Sequence, residues 1–505
     1  MMARQSIIEG VSLERLLRGM AGLTPEQECL VTGICTDSRE VSPGDVFIAL
    51  RGSSASGINY IGEAIAKGAV RILAEPDRDL TGTRFSIPLI PIEDLRGKVG
   101  IIAGRFYGEP SKKMNVIGIT GTNGKTSIAH FLGQTLSRHR AAPIGYIGTL
   151  GLGRFDDLRG SKNTTPDPIT LHRTLAGLNA EGIKDVVMEV SSHALDQGRV
   201  TGIDFNVAIF TGLSRDHLDY HGDMEVYAEA KKKLFLCEGL KFGVVNADDA
   251  YGRRLIESMR DRITMIGYGI TQENAACRDE LVQVQAVIGR QALGSLALEM
   301  VSPWGKGTLT AGLTGGFNAY NLLAVMSVLC ISGVPFAAAV QYISALHTVP
   351  GRMEVFAAAS SATVVVDYAH TPDALKQALS GLRGRCRGKV ICVFGCGGDR
   401  DQGKRPEMGK VAEEYADQVV LTNDNPRGEA PKKIIQDILA GMSRPDSVRV
   451  ESDRAGAIEL AINMAAREDI VLVAGKGHET YQEIGGRRYP FSDRQLVRNL
   501  LEREA

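Results

Sequence analysis

The chain is 505 residues long, too long for one ordinary hydrophobic core, and the domain-size prior divides it into about three domains. Its 44% hydrophobic and 23% charged residues are those of a soluble globular protein, and 58 basic against 59 acidic side chains leave a net charge of -1. That balance removes any electrostatic case for nucleic acid or an anionic membrane as partner. Its 8 cysteines form no C-x-x-C pair and read as reduced and mostly buried, and no apolar run approaches signal or membrane-span length. A cytoplasmic protein without membrane insertion is expected.

Residues 1–110 read as a small α/β unit: a helix over Leu13–Met20, a strand over Asp45–Leu50, a helix over Tyr60–Gly68 and a strand over Val70–Ala74. Two polar turns interrupt it, Thr36-Asp37-Ser38-Arg39 and Gly52-Ser53-Ser54-Ala55-Ser56-Gly57. Hydroxyls and backbone N-H groups in such turns can hold an anion, although surface turns of this composition are common.

Residues 111–346 begin with Val116-Ile-Gly-Ile-Thr-Gly121-Thr-Asn-Gly-Lys125-Thr126-Ser127, followed by apolar residues at 128, 131, 132 and 136. The pattern is strand, glycine loop, helix, the arrangement that cradles phosphates with backbone N-H groups, a helix N-terminus and a lysine, with the Thr126 hydroxyl available to Mg2+. The general phosphate loop has glycine where this chain has Ile119, so the loop is a variant. Strands over Asp185–Val190, Phe205–Thr211 and Phe242–Asn246 follow, each ending in polar residues, and the alternation implies a mainly parallel sheet. Ligands collect at the carboxyl ends of such strands, which puts Glu189, Ser191, His193, Arg215, Asp216 and His217 near the nucleotide. A carboxylate inside Val-Val-Met-Glu-Val is costly to bury unpaired, so Glu189 reads as a metal ligand or a paired core acid.

Over Met224–Phe235 a helix carries Lys231-Lys232-Lys233; spacing turns Lys232 away from the apolar stripe and leaves Lys231 and Lys233 bordering it. Alternating residues Leu281–Val287 suggest hairpins, and Thr314-Gly-Gly-Phe-Asn318-Ala-Tyr-Asn321 opens an apolar helix whose asparagines either read an adenine edge or cap the helix.

From 347 to 505 the alternation restarts as a second, Rossmann-like doubly wound domain, with strands over 363–366, 389–394, 418–422 and 470–474. Polar loops follow them: Asp367-Tyr-Ala-His-Thr-Pro372, Gly395–Asp401, Asp424-Asn425-Pro426-Arg427 and Gly475-Lys-Gly-His-Glu479. None is a dinucleotide G-x-G-x-x-G, so nicotinamide and flavin are disfavoured. A triphosphate site in one α/β domain and a second domain rich in Asp, Arg and His loops fit ATP-dependent activation of a carboxylate better than a motor or switch.

The motifs Thr120–Thr126, Glu189-Val-Ser-Ser-His193, Ser214-Arg-Asp-His-Leu-Asp219, Gly316–Asn321 and Asp367–Pro372 resemble those of the Mur ligases, in family order and across essentially the whole chain. The resemblance implies three α/β domains: residues 1–110 for a UDP-sugar, 111–346 for ATP and 347–505 for an incoming amino acid. It implies cytoplasmic synthesis of the peptide stem of peptidoglycan by an ATP-dependent carboxylate-amine ligase working through an acyl phosphate, expected here as a monomer. The substrates implied are UDP-N-acetylmuramoyl-L-alanyl-D-glutamate and meso-diaminopimelate. Asp424 to Arg427 looks like the loop of the diaminopimelate-adding branch, and a guanidinium suits the second carboxylate that distinguishes this diamine from lysine.

Carried over by resemblance, ATP falls to Gly121, Thr122, Asn123, Gly124, Lys125, Thr126, Ser127, Asn318, Arg352 and Asp367. Mg2+ falls to Thr126, Glu189, His217 and Lys231, the last as a carbamate formed with CO2. Lys125, Glu189, His217 and Lys231 are the expected catalytic set. The sugar-peptide falls to Thr36, Ser38, Ser53, Ser54, Ala55, Asn163, Thr164, Thr165, Ser191, Gln197 and Arg199, and the acceptor to Arg400, Asp424, Asn425, Pro426, Arg427, Gly475 and Glu479. A lysine-adding ligase, a folylpolyglutamate synthase and a catalytically silent nucleotide-binding scaffold are the alternatives.

Overall fold

The computed structural model describes residues 10–52, 56–76, 85–271, 280–357 and 362–503. In chain order the first elements are α1 (Leu13–Leu17), β1 (Gly33–Cys35), β2 (Asp45–Ala49), α2 (Ile61–Ala66), β3 (Arg71–Ala74), β4 (Leu89–Pro91) and α3 (Leu95–Phe106). Strands β1 to β4 form a parallel 4-stranded sheet in sequence order. Alternate residues of β2 face opposite sides, Val46 and Ile48 packing with α1 and α3 residues and Phe47 and Ala49 with Ile61 and Ala64 of α2. Helix α1 stops at Leu17, short of the expected Met20, because Gly19 takes a φ of 75°.

The middle of the chain contributes β5 (Asn115–Thr120), α4 (Lys125–Arg140), β6 (Gly145–Gly148), β7 (Gly151–Arg154), β8 (Asp157–Arg159), α5 (Pro168–Ala180), β9 (Asp185–Glu189) and β10 (Val207–Phe210). Next come α6 (Met224–Lys232), β11 (Phe242–Asn246), α7 (Ala250–Met259), β12 (Thr264–Ile270), β13 (Val284–Ala292), β14 (Ser295–Ser302), β15 (Gly305–Ala311), α8 (Phe317–Ile331) and α9 (Phe336–Ser344). Strand β9 pairs in parallel with β6; β11, β12 and β13 are mutually parallel, and β13 to β15 are an antiparallel meander, the hairpins expected there.

The last part consists of β16 (Glu354–Phe356), β17 (Thr363–Asp367), α10 (Pro372–Arg383), β18 (Val390–Phe394), α11 (Lys404–Tyr415), β19 (Gln418–Leu421), α12 (Pro431–Leu439), β20 (Arg449–Val450), α13 (Arg454–Met464) and β21 (Ile470–Ala474). A hairpin, β22 (Tyr481–Ile484) and β23 (Arg487–Pro490), and the helix α14 (Asp493–Arg503) complete it. The 6-stranded sheet has the order β16-β17-β21-β18-β19-β20, and β17, β21, β18 and β19 are parallel. Their near-continuous Val, Ile and Leu content follows from burial on both faces. Val365, Cys392, Phe394, Leu421 and Leu472 enter one core, whereas Val364, Val366, Ile391, Val393, Val420, Val471 and Val473 enter the other. Each such side chain contributes about 1.5–3 kcal/mol by burial, so a charge at Val471 or Leu472 would break the sheet. Because the strands are parallel, the loops after 367, 394, 421 and 474 leave at one edge.

Two compact units emerge. One holds residues through Gly118 with Pro143–Ala208 and Lys233–Lys241; the other holds Ile119–Ala142, Ile209–Lys232 and the chain from Phe242 onward. Strands β5 and β10 have residues in both. In the second unit, Arg454 and Asp493 form a fully buried ion pair at 2.7 Å. Arg454 also donates to the carbonyls of Ala474 at 2.9 Å and Asn423 at 3.3 Å, tying the start of α14 to two of the polar loops.

Candidate active site

Strand β5 continues through Gly118 and Ile119, both buried, so the loop glycines are Gly121 and Gly124. Ile119 therefore belongs to the sheet rather than to the loop, which accounts for the departure from the general phosphate-loop pattern. Gly121 has a φ of 142°, and a Cβ there would lie 1.8 Å from Thr211 Oγ1; Gly124 has a φ of 86°, and a Cβ there would meet Asn321 Oδ1 at 2.7 Å. Neither position admits a side chain without displacement. Thr211 locks the loop, its N-H donating to Thr120 O at 3.0 Å and its hydroxyl to Asn123 O at 2.5 Å.

Helix α4 begins at Lys125 with no side-chain cap, leaving its first-turn amides directed at the loop. Lys125 Nζ donates to the carbonyls of Gly121 at 2.8 Å and Thr122 at 2.9 Å. Thr122 Oγ1 accepts from Ser214 N at 3.0 Å, and Asn123 Nδ2 donates to Asp373 Oδ2 at 3.2 Å. The buried hydroxyl of Thr126 accepts from Arg352 Nη2 at 3.4 Å, and the Arg352 guanidinium stacks 4.0 Å above the Tyr368 ring. Asp367 accepts from the backbone N-H groups of Met353 at 2.7 Å and Ala369 at 2.8 Å, fixing the segment that carries Arg352. Burial raises the Asp367 acid, and Arg352 and these N-H groups oppose the rise.

Of the two lysines that spacing left open, Lys231 is the buried one, 1% exposed, while Lys233 is exposed and pairs with Asp196 at 2.8 Å. Lys231 Nζ donates to Gly121 O at 2.9 Å and lies 4.3 Å over the Tyr227 ring. Despite these contacts its pKa falls well below the usual lysine range, first through burial and then through the neighbouring Lys125 charge, against which Asp216 acts.

Asp216 is a hub. It is buried, its Oδ2 lies 3.3 Å from His217 Nε2 and 4.0 Å from His370 Nε2, and its Oδ1 lies 3.8 Å from Lys404 Nζ. Arg215 reaches Asp401 at 3.6 Å and Glu407 at 3.4 Å. His217 takes a φ of 55°, a strained conformation for a non-glycine residue that directs its ring toward this group. The motif Ser214–Asp219 contained Asp216, but Lys404, Asp373 and Tyr227 carried no local signal and were missed.

In the first unit, the fully buried Glu189 accepts at Oε1 from Tyr146 OH at 2.9 Å and Thr149 N at 2.8 Å, and at Oε2 from Thr149 Oγ1 at 3.1 Å. Thr165 Oγ1 donates to Glu189 O at 2.9 Å and accepts from Ser191 N at 3.0 Å. Arg199 donates to Gln197 Oε1 at 2.6 Å and to Thr165 O at 3.0 Å, and Thr164 Oγ1 lies 3.2 Å from Thr149 Oγ1. Asn163 is exposed, and its carbonyl accepts from Ser161 Oγ at 2.7 Å. The expected Glu189, Asn163, Thr164, Thr165, Ser191, Gln197 and Arg199 thus fall on one connected stretch of loops. Ser38 donates to Glu63 at 2.6 Å and Thr36 is an exposed turn residue. Ser53, Ser54 and Ala55 lie outside the described residues.

Asn318 is buried, its Nδ2 donating to Thr314 O at 2.8 Å and its Oδ1 accepting from Asn321 at 2.9 Å. Neither bond is a cap, since no first-turn N-H is accepted; they tie the first turn of α8 to the glycine loop before it.

The residues expected to hold the acceptor lie on the loops at one edge of the C-terminal sheet. Asn425 donates to Glu479 at 2.8 Å and accepts from Lys476 at 3.0 Å; Lys476 also donates to Glu479 at 2.8 Å. Gly475, with a φ of 111°, lets Asp424 approach, since a Cβ would meet its Oδ2 at 2.5 Å. Arg427 has a φ of 51°, donates through Nη1 to Gly398 O at 2.8 Å and lies 3.8 Å from Glu483. Pro426 is buried between Asn425 and Arg427, and Arg400 is exposed with Nη1 on Asp399 O at 2.8 Å.

No group of three or more His, Cys, Asp or Glu suited to a metal occurs among the described residues. Taken one by one, the Thr126 hydroxyl and the His217 ring in the second unit and the Glu189 carboxylate in the first are oxygen and nitrogen donors of the kind a divalent cation accepts. No helix among the described residues is long and apolar enough to cross a membrane.

A variant phosphate loop beside a buried lysine, followed by a doubly wound domain whose loop edge gathers Arg, Lys and carboxylate side chains, defines a phosphate-loop enzyme of the three-domain α/β ligase type. Family models match residues 30–107 ("Mur ligase family, catalytic domain"), 119–329 ("Mur ligase middle domain") and 351–477 ("Mur ligase, glutamate ligase domain"). The chain belongs to the Mur ligase family. It is 50% identical over 474 residues to the UDP-N-acetylmuramoyl-L-alanyl-D-glutamate--2,6-diaminopimelate ligase of Coxiella burnetii, covering 94% of this chain and 96% of that protein. It is 47% identical over 501 residues to the ligase of the same name from Alkalilimnicola ehrlichii, covering 97% and 99%. A solved structure of a UDP-N-acetylmuramoyl-L-alanyl-D-glutamate--2,6-diaminopimelate ligase superposes with a TM-score of 0.69 at 33% identity, covering 98% of this chain and 99% of that one.

Proposed function

We propose that this chain joins meso-2,6-diaminopimelate to UDP-N-acetylmuramoyl-L-alanyl-D-glutamate at the expense of ATP, in the cytoplasm and as a monomer, during synthesis of peptidoglycan precursors. The observation that carries the choice of acceptor is the Asp424–Arg427 loop, in which a strained backbone holds a half-buried guanidinium at the sheet edge. A guanidinium binds a carboxylate through two parallel hydrogen bonds, so meso-diaminopimelate gains an anchor that lysine lacks. Glu479 takes the ammonium at the same end of the acceptor, with Arg400, Asp424, Asn425, Pro426 and Gly475 shaping the site.

The γ-phosphoryl group of ATP passes to the D-glutamate carboxylate, giving an acyl phosphate; the free amine attacks it, and amide, ADP and phosphate leave. Gly121 to Ser127 hold the phosphates through backbone N-H groups, Lys125 moves from the loop carbonyls onto them, and Arg352 with Asp367 and Asn318 positions the nucleotide. Positive charge is required because both reactants of the first step are anions. Mg2+ held by Thr126, Glu189, His217 and the Lys231 carbamate would neutralise phosphate charge there. The depressed pKa of Lys231 supports this modification, since only an un-ionised amine captures CO2. Thr36, Ser38 and the turn Ser53 to Ala55 take the uridine end of the substrate, and Asn163, Thr164, Thr165, Ser191, Gln197 and Arg199 its sugar and peptide.

The test is ADP release with the muramoyl dipeptide and each of meso-diaminopimelate, lysine and glutamate. Turnover is expected with meso-diaminopimelate alone, and Arg427→Ala is expected to raise the acceptor KM by about a hundredfold, the value of a charge-assisted pair of bonds. Equal turnover with lysine would overturn the assignment of the acceptor; ADP release without the dipeptide would overturn the ligase reading.

A further inference from the structure

Behind the acceptor loops lies an ion cluster with no role in the reaction described above. Arg405, in the first turn of α11, is completely buried. Its Nη1 donates to Glu429 at 2.9 Å and Asp437 at 2.8 Å, and its Nη2 to the other Glu429 oxygen at 2.8 Å and to Gly397 O at 3.3 Å. A guanidinium this deep costs several kcal/mol in lost hydration unless its partners hold it well, and the two-point pair with Glu429 does so.

Glu429 extends the contact to the loop that carries Arg400. Its Oε1 accepts from Asp399 N at 2.5 Å, and the Asp399 carboxylate accepts in turn from Gly428 N at 3.0 Å. Asp399 has a φ of 52°, so the turn is strained and depends on these bonds. Gly398 N donates to Asn425 O at 2.9 Å, and Gly398 O accepts the Arg427 guanidinium at 2.8 Å. The loops 397–401 and 424–429 are therefore stitched together, with the Arg405–Glu429 pair at the buried end and Arg400 and Arg427 at the open end. Close backbone approach leaves no slack: a Cβ on Gly398 would fall 2.0 Å from Pro426 O.

We propose that Arg405 and Glu429 are positioning residues that set the spacing of Arg400 and Arg427, and through it the affinity for the acceptor, without touching it. The inference rests on the reading of Arg427 as the acceptor's carboxylate anchor. The experiment measures KM for meso-diaminopimelate, ATP and the muramoyl dipeptide in full-length Glu429→Ala, Glu429→Gln, Arg427→Ala and the double variant Arg427→Ala with Glu429→Ala. Glu429→Ala is expected to raise the acceptor KM about tenfold, with kcat and the other two KM values within about twofold, and Glu429→Gln, which keeps an oxygen for Asp399 N, to recover part of the loss. In the Arg427→Ala background the effect of Glu429→Ala is expected to shrink to about threefold or less, because only the placement of Arg400 is then left to lose.

Additive effects in the double variant, or a parallel rise of all three KM values, would overturn the proposal by showing a general loosening of the domain. If Glu429→Ala does not fold, Glu429→Gln decides: an acceptor KM unchanged in a background where Arg427→Ala does raise it overturns the coupling. If Arg427→Ala itself leaves the acceptor KM unchanged, it is the reading of the acceptor site that fails.

Discussion

Asp216→Asn removes a charge from the meeting point of two α/β segments while keeping the side chain's shape. The carboxylate lies 3.8 Å from Lys404 Nζ, a separation worth about 4 kcal/mol of attraction at an effective dielectric of about 20. Burial works against the charged form, but His217, Lys404 and His370 together hold the acid down from its usual 3.8 to about 2. His370 is itself pushed by burial to about 4, so at neutral pH its ring is uncharged, and Lys404 and the His217 contacts are what remain beside Asp216. The drop in the Asp216 pKa is worth about 2 kcal/mol of stability, about half the gross attraction, the rest being spent on desolvation. Because the folded-state pKa is depressed, this contribution is complete above about pH 4 and disappears as pH falls through about 2. Thermal unfolding of wild type and Asp216→Asn between about pH 2 and 8 checks it: a midpoint lower by a few degrees in the variant at neutral pH, closing toward the acid end. A gap that stays constant with pH would refute the reasoning, since the variant keeps an oxygen for His217 N and only the lost charge titrates.

Gly121→Ala is expected to cost about 2 kcal/mol or more through backbone strain and overpacking against Thr211, read by calorimetry as roughly thirtyfold weaker ADP binding. Unchanged ADP affinity would mean that the loop opens freely. Tyr146→Phe deletes one donor to Glu189 and should lower stability by about 1 kcal/mol with kcat down less than about threefold, whereas Glu189→Gln should lower kcat at least about a hundredfold. Stripping CO2 from the buffer should slow wild-type turnover, with recovery on adding bicarbonate, and should leave the residual rate of Lys231→Arg unaffected; a wild-type rate indifferent to CO2 would exclude the carbamate.

Much of this architecture was readable from local pattern. The phosphate loop and its helix, the lone acid of β9 and the parallel strands of the C-terminal sheet announce themselves because hydrophobic period and glycine placement are properties of neighbouring residues. Helix α8, expected to open within Thr314–Asn321, starts at Phe317. Lys231 and Lys233 both border the apolar stripe on a helical wheel, and only packing separates them: Lys231 turns in over Tyr227, whereas Lys233 lies in the 3-10 turn that follows. The contacts of Asp216 with Lys404 and of Asn123 with Asp373 join residues 188 and 250 positions apart and leave no trace in any short window. Arg405 carries no local signal, because its two acidic partners follow 24 and 32 residues later.

The ion pair between Arg454 and Asp493 makes helix α14 matter to loops far from it in sequence. A premature stop codon upstream of Asp493 would strip a counter-ion from a guanidinium sealed in the interior and release the carbonyls of Asn423 and Ala474 that it braces. Such a product is expected to loosen the loops around 423 and 474 while its phosphate loop survived, so nucleotide binding would be a misleading gauge of whether the shortened protein is intact.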